Sequence, residues 1–276
     1  MKNFFKHTGL AVGYFALFYL IQIWAGYMFI LGVLLRGVTS GATLEEAYGT
    51  AYNVFSPNTL AIQVTAYAAL LILVGALLHA QGLHPLHAQV GLVRPRGLKF
   101  LWVPVLLAFT AFGMTAAILS LIPPDLPLMQ EYIQSSALLM DEINALTILQ
   151  TVLVAPFIEE LIFRGLVYSQ MKKAMPQFLA IILQALLFGL VHSQLLWVLY
   201  AFTLGLILGF VADRFGSILP SILLHICFNA SNYLPFIVAL EGQNAAIVLA
   251  VTLPATLALL FFLARKLRRD ALPAQP

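Results

Sequence analysis

Three charged residues lie inside one long apolar segment of the sequence. The segment 145–170 reads ALTILQTVLVAPFIEELIFRGLVYSQ and contains Glu159, Glu160 and Arg164. An ionisable group in a membrane-spanning helix costs at least about 2.5 to 3.5 kcal/mol on insertion scales, so such groups are rare and are typical of functional sites. These three residues are the first candidates for chemistry.

The spacing of these charges predicts that the two glutamates differ in role. Glu160 and Arg164 are four residues apart and share one helical face, so an internal ion pair would reduce the cost of burying both. Glu159 lies about 100° further round the helix and has no basic partner at that spacing. We therefore expect Glu159 to find a partner on another helix or to be protonated.

Candidate partners for Glu159 occur in two later apolar segments. The first ends FGLVHS and contains His192, with Phe188 one turn before it. The second reads SILPSILLHICFNASNYLPF and contains His225 and Asn229, whose four-residue spacing places both side chains on one face. Two glutamates, two histidines and an asparagine on three helices predict a shared polar site.

This set of side chains can support amide hydrolysis. That reaction needs a base for the attacking water, a proton donor for the leaving nitrogen and hydrogen bonds to the developing oxyanion. Glu159 suits the base, because a low-dielectric site disfavours its charged form and so increases its basicity. His192 could orient the same water, while His225 and Asn229 donate hydrogen bonds to the oxyanion.

Other readings of the same residues stay open at this point. The sequence contains no H-E-x-x-H motif for a membrane zinc protease, no Gly-x-Ser-Gly for a serine enzyme and no Gly-x-Gly-Asp for an aspartyl one. Two histidines and a glutamate could nevertheless bind zinc and leave a fourth position for water. A purely structural hydrogen-bond network is the further alternative.

Three short motifs follow one another on successive predicted helices. Residues 159–164 fit E-E-x-x-x-R, residues 188–192 fit F-x-x-x-H, and residues 225–229 fit H-x-x-x-N. In this order the motifs resemble the CAAX protease and bacteriocin-processing family, also called the Abi family, whose eukaryotic members cleave prenylated CAAX proteins. The match covers about 155–230, and the remaining segments match only in being hydrophobic.

The resemblance implies a fold of membrane helices and a glutamate-type mechanism without a metal or another cofactor. Carried over by position, it implies that Glu159 and His192 activate water and that His225 and Asn229 form the oxyanion hole. Glu160 and Arg164 would support them. No departure from the motif pattern is present in this sequence.

Composition predicts that these motifs lie in a membrane protein. Hydrophobic residues make up 62% of the chain and charged residues only 9%, against roughly 25% charged residues in soluble domains. Several apolar runs reach the roughly 20 residues that a spanning helix needs. We expect an all-α, polytopic transmembrane helical bundle, a single integral-membrane domain over 1–276 with its motif-bearing core at about 144–240.

About eight transmembrane helices are predicted. Of these, the fifth and sixth are the least secure, because only Ser193 and Gln194 separate two short apolar runs that could partly re-enter the membrane. The predicted spans lie near 9–35, 59–80, 100–122, 144–170, 177–193, 195–212, 218–240 and 244–264.

The charges in the connections predict the orientation, because short cytoplasmic loops are rich in Lys and Arg. Alternate connections are basic, and the others are acidic apart from Arg36. The pattern places both termini in the cytoplasm of a multi-pass protein, which we expect in the plasma (inner) membrane. The longest connections, 36–58, 81–99 and 123–143, leave no room for a large soluble domain, and 123–143 could be an interfacial helix or a tether.

The basic residues flank apolar runs and form no single stripe, so a nucleic-acid partner is not expected. The expected partners are the lipid bilayer and a membrane-associated protein or peptide substrate. The favoured function is an intramembrane glutamate-dependent endopeptidase. The alternatives are a non-catalytic membrane scaffold or immunity-type protein, and a small transporter or proton relay, which buried Glu and His would also suit.

Overall fold

The computed structural model describes residues 2–55, 59–83, 85–141, 144–192, 194–234 and 243–267. These residues form helices and connecting turns, and no β-strand occurs among them. The prediction of an all-α fold is therefore confirmed.

The helices follow one another with short connections. A 3₁₀ turn, Leu98–Phe100, precedes the fifth of them. In chain order the helices are α1 (Lys2–Thr39), α2 (Leu44–Phe55), α3 (Thr59–Ala80), α4 (Leu86–Gln89), α5 (Trp102–Ser120), α6 (Pro127–Asp141), α7 (Ala145–Ala174), α8 (Gln177–Leu190), α9 (Leu195–Phe215), α10 (Leu219–Ser231) and α11 (Gln243–Lys266).

Within the described ranges, six helices are long and apolar enough to cross a membrane, namely α1, α3, α5, α7, α9 and α11. The other two apolar helices are shorter, with 14 residues in α8 and 13 in α10. At 1.5 Å per residue each is about 20 Å long, which is less than the roughly 30 Å of the hydrocarbon core.

This result refines the prediction of about eight spans. Apolar helices are present in all eight predicted segments, but those in 177–193 and 218–240 are too short to cross the membrane by themselves. Residues 235–240 of the latter segment lie outside the described part of the chain. The segment 195–212, predicted as insecure, instead forms the full 21-residue helix α9.

All three long connections contain helices of their own. The connection 36–58 holds α2, 81–99 holds the short α4, and 123–143 holds α6. Of the interfacial helix and the tether that were left open for 123–143, an interfacial position of α6 stays a prediction.

A reciprocal capping box begins α2: the Thr43 N–H donates to Glu46 Oε2 at 2.8 Å, and the Glu46 N–H donates to Thr43 Oγ1 at 3.3 Å. The Thr43 hydroxyl also donates to Glu46 Oε2, at 2.9 Å. The backbone and side-chain hydrogen bonds that Thr43 donates to the carboxylate lower the pKa of Glu46 and keep it charged.

The motif helix α7 packs against α1, α8, α9 and α10. Phe163 marks the centre of this packing, because its ring makes edge-to-face contacts with Phe18 of α1 at 5.3 Å and with Phe188 of α8 at 5.2 Å. All three rings are almost fully buried. Aromatic packing of this kind fixes α7 in the middle of the bundle.

Large apolar side chains also cover the outside of the molecule. Residues such as Leu20 and Trp24 of α1, Ile72 of α3 and Phe261 of α11 are mostly exposed. A soluble monomer rarely exposes apolar patches this extensive, whereas lipid chains solvate them without cost. The fold is therefore that of a multi-pass membrane protein.

A close approach at Gly165 supplies a stability test. A Cβ at this position of α7 would lie 2.5 Å from the backbone oxygen of Val90, so we expect Gly165→Ala to destabilise the protein by about 1 to 3 kcal/mol through overpacking. Unfolding of the purified protein in detergent measures the change. Gly9→Ala is the control, because a Cβ on Gly9 meets nothing within 4 Å. Equal stability of the two variants would contradict the close contact.

Candidate active site

The four predicted catalytic side chains line one cavity of about 340 Å³. Glu159 comes from α7, His192 from the turn after α8, and His225 and Asn229 from α10. Glu160 and Arg164 are absent from the described lining and lie buried behind it. The structure thus brings together all the residues that the sequence singled out.

The predicted ion pair within α7 is present. Arg164 Nη1 donates to Glu160 Oε1 at 2.7 Å, and both side chains are fully shielded from solvent. A charge-assisted hydrogen bond of this length compensates much of the cost of burying two ions. Glu160 is therefore best described as a carboxylate.

His225 also contacts both glutamates. Its Nδ1 lies 3.0 Å from Glu160 Oε1, and its Nε2 lies 3.8 Å from Glu159 Oε2. Because an ionised carboxylate can only accept hydrogen bonds, Nδ1 of His225 carries the hydrogen of the shorter contact. Glu160 consequently accepts hydrogen bonds from two helices, whereas the sequence predicted a partner for it on its own helix alone.

Arg164 connects this pair to the neighbouring helices. Its Nη2 donates to the Gly205 carbonyl of α9 at 3.3 Å, and its guanidinium lies 4.3 Å from the centre of the Phe188 ring. The ring of Phe188 in turn contacts those of His192 at 5.3 Å and His225 at 5.7 Å. The phenylalanine of the second motif is thus the apolar surface against which the cation and both imidazoles are oriented.

The tautomer of His192 follows from its backbone contact. Nδ1 of His192 lies 3.0 Å from the Phe188 carbonyl oxygen, which can only accept, so Nδ1 carries a hydrogen. A neutral ring then has its lone pair on Nε2. On a side chain that lines the cavity, this nitrogen is suited to accept a hydrogen bond from a water molecule.

A proline explains how Asn229 is held. Residues Gln150–Val154 of α7 form a π-helical turn, in which the Ala155 N–H bonds to the Gln150 carbonyl. The next donor in this register would be Pro156, which has no N–H, so the Thr151 carbonyl lacks a helical donor. Nδ2 of Asn229 donates to that carbonyl at 2.9 Å. One amide hydrogen of Asn229 remains for another acceptor.

Gln184 is a buried polar residue that the motif search missed. It lies fully buried on α8, one turn before Phe188, and its Nε2 donates to the Gly205 carbonyl at 2.9 Å. Arg164 donates to the same carbonyl. The sequence did contain a signal for Gln184, because it is a single polar residue in the middle of an apolar run. Gln184 therefore extends the hydrogen-bond network from the ion pair to α8, the helix that precedes His192.

A pair of glutamines in the cavity wall was also missed. Gln150 Nε2 donates to Gln63 Oε1 of α3 at 2.6 Å, and the buried Gln150 Oε1 has no hydrogen-bond partner among the described residues. Whichever amide donates, the pair retains one carbonyl and one NH₂ group for a third group. Nothing in the sequence links these positions, because 87 residues separate them.

Metal ligation was the open alternative for this site. Within the described residues, no group of three His, Cys, Asp or Glu side chains is arranged so that it could hold a metal ion. The close contacts of Glu160 are instead with Arg164 and His225, as hydrogen bonds.

Fold and site together define an all-α, multi-pass membrane protein with a glutamate and histidine centre inside the bundle. Residues 141–231 match the family model of the Rce1-like type II CAAX prenyl endopeptidases, which covers about a third of the 276-residue chain. The resemblance predicted from the three motifs is thereby confirmed for this segment. The match points to a CAAX-protease-type peptidase. No curated protein and no solved structure matches the chain.

The buried ion pair supplies a second stability test. Arg164→Met leaves Glu160 with an uncompensated charge, and we expect this loss to cost about 3 to 5 kcal/mol of unfolding free energy. Arg214→Met is the matched control, because Arg214 stacks on Phe210 and has no described ion pair, so its loss should cost much less. Denaturant titration in detergent measures both.

A double variant tests whether the cost comes from the unpaired charge. Adding Glu160→Met to Arg164→Met removes both ions, so we expect a large part of the lost stability to return. Additive destabilisation by the two substitutions would contradict an energetic coupling between these residues.

Proposed function

We propose that the protein is an intramembrane glutamate-dependent endopeptidase in which Glu159 activates the attacking water. The exposure of the two glutamates is the observation that carries this proposal. The side chain of Glu159 is 16% exposed and lines the cavity, whereas that of Glu160 is completely buried. Only Glu159 of this pair can meet a water molecule and a substrate.

The geometry supports a division of labour around that water. Glu159 takes one proton from the water, and Nε2 of His192 accepts a hydrogen bond from it, which orients the oxygen for attack on a carbonyl carbon. The proton held by Glu159 then passes to the leaving nitrogen as the peptide bond breaks. No further group is needed to balance the protons.

The oxyanion of the tetrahedral intermediate forms beside His225 and Asn229. Nδ1 of His225 already donates to Glu160, so its Nε2 can donate to the oxyanion only when the ring is an imidazolium. The adjacent Glu160 carboxylate stabilises that cation, and the second amide hydrogen of Asn229 adds another donor. This assigns Glu160 an electrostatic role through His225.

The cavity wall suits a peptide as the substrate. The remaining carbonyl and NH₂ of the Gln63 and Gln150 pair match the N–H and C=O of a peptide unit. Tyr67, Tyr132 and Tyr200 add further amphipathic side chains to the lining. We propose a membrane-associated protein or peptide as the substrate class, with prenylated CAAX termini as one candidate that the matched family indicates.

Replacement of Glu159 tests the proposed base. We expect Glu159→Gln to lower peptide cleavage by about 10²- to 10⁴-fold, because the amide cannot accept the proton of water. The assay uses the purified protein in nanodiscs with a panel of quenched-fluorescence peptides, with and without a prenyl group on a C-terminal CAAX cysteine. Unfolding of each variant in detergent verifies that it is folded.

Glu131→Gln is the matched control, since Glu131 lies exposed on α6 outside the described cavity lining. Its cleavage rate should equal that of the wild type. An undiminished rate for Glu159→Gln would show that Glu159 is not the base. A cellular phenotype lost in Glu159→Gln, with no peptide cleaved even by the wild type, would favour the scaffold or transport function.

A further inference from the structure

The basic residues of the connections lie at one end of the bundle. His7 at the start of α1 hydrogen-bonds Gln170 at the end of α7 at 2.8 Å. The Arg96 N–H donates to the Phe215 carbonyl at the end of α9 at 2.9 Å. The basic residues that accompany these contacts are Lys6, Arg94, Arg96, Lys99, Lys172, Lys173 and Arg214.

The last helix ends at the same place. A Cβ on Gly97 would lie 2.5 Å from Leu267, the residue that follows α11 and its terminal Arg265 and Lys266. The segment 91–99 therefore touches the ends of both α9 and α11. We call this end of the bundle the basic face.

The cavity is built from the halves of the helices that lie away from the basic face. Its lining residues lie in the first halves of α3, α7 and α9 and in the second half of α10 or just after it. Residues of α6, Phe188 near the end of α8 and His192 after α8 complete the lining. Within α7 the lining runs from Thr147 to Glu159 and includes no described residue beyond it. Glu159 is thus the deepest member of the α7 wall.

Contacts between these helix ends hold the cavity together. Thr151 Oγ1 lies 2.7 Å from the Tyr233 hydroxyl, which joins the start of α7 to the end of α10. Gln194 Nε2 donates to the Leu128 carbonyl of α6 at 3.3 Å, which joins α6 to the start of α9. The exposed residues of the lining, Gln63 and Asn232, also lie at this end, so the cavity reaches the surface at the end of the bundle away from the basic face.

The charges near this second end are mainly negative. The acidic residues are Asp125 before α6, Glu131 on α6, and Glu45 and Glu46 at the start of α2. Arg36, near the end of α1, is the one basic residue in these connections. Glu46 keeps its charge through the capping box that lowers its pKa. Lys and Arg in connections shorter than about 60 residues tend to remain in the cytoplasm when a protein inserts into the membrane. All the connections of this chain are far shorter than that limit, so the basic face is expected to be cytoplasmic.

From these observations we infer that the catalytic cavity opens to the non-cytoplasmic side of the membrane. Its substrate class is then an exported or membrane-anchored polypeptide whose cleavage site lies on that side. A CAAX C-terminus that is confined to the cytoplasm would have to reach Glu159 from the basic face, past the buried Glu160 and Arg164 pair. The inferred orientation therefore disfavours this candidate among the proposed substrates. The substrate statement rests on the proposed peptidase function, whereas the orientation does not.

Thiol labelling tests the orientation. Cys227 is the only cysteine, so a Cys227→Ala background allows single cysteines to be placed at Ser136, which lines the cavity, and at Lys173 on the basic face. A membrane-impermeant maleimide is added to intact cells that express each variant, and then to permeabilised cells. We expect Ser136→Cys to be labelled at least tenfold more in intact cells than Lys173→Cys, and both after permeabilisation.

The reverse pattern, or equal labelling of the two variants in intact cells, would overturn the inference. A second measurement distinguishes a failure of the inferred orientation from a failure of the proposed peptidase function. Maleimide on Ser136→Cys should lower cleavage of the quenched-fluorescence peptides at least tenfold, whereas maleimide on Asp125→Cys, at the same end but outside the described lining, should not. Correct labelling without this loss would retain the orientation and contradict the substrate route through the cavity.

Discussion

The structure depends on the compensation of one buried carboxylate. Glu160 accepts hydrogen bonds from Arg164 of its own helix and from His225 of α10 through the same oxygen. Arg164 then donates to the Gly205 carbonyl of α9 and stacks on Phe188 of α8. Because an uncompensated ion inside the bundle would be so costly, four helices are held in a single arrangement. Glu159 owes its position beside the cavity to this arrangement.

The space for the cavity arises because two of the helices around it, α8 and α10, are short. The helices α8 and α10 are about 10 Å shorter than the hydrocarbon core, and His192 and Asn229 lie at or near their ends. Where two helices stop early, the longer α7 and α9 still continue, which leaves space between them that α6 partly covers. The polar lining thus has room for a substrate within the thickness of the bilayer.

Pro156 links the first motif to the third. It leaves the Thr151 carbonyl without a helical donor, four residues before the α-helical stretch with the two glutamates begins at Ala155. Asn229 supplies the donor from α10. A defect in the backbone of α7 is therefore repaired by a side chain of the predicted oxyanion pair. The same contact fixes the distance between the helices that carry Glu159 and Asn229.

The helical membrane fold, the ion pair of Glu160 and Arg164, and the side chains that meet in the candidate site could all be predicted from the sequence. They follow from hydropathy, from four-residue spacing and from the cost of buried charge. The packing of the helices was needed to show that His225 contacts both glutamates, that Gln184 joins the hydrogen-bond network, that Gln63 pairs with Gln150, and which halves of the helices line the cavity. Those features depend on contacts between residues far apart in the chain and on the lengths of α8 and α10. Local periodicity carries no information about how distant helices pack against one another.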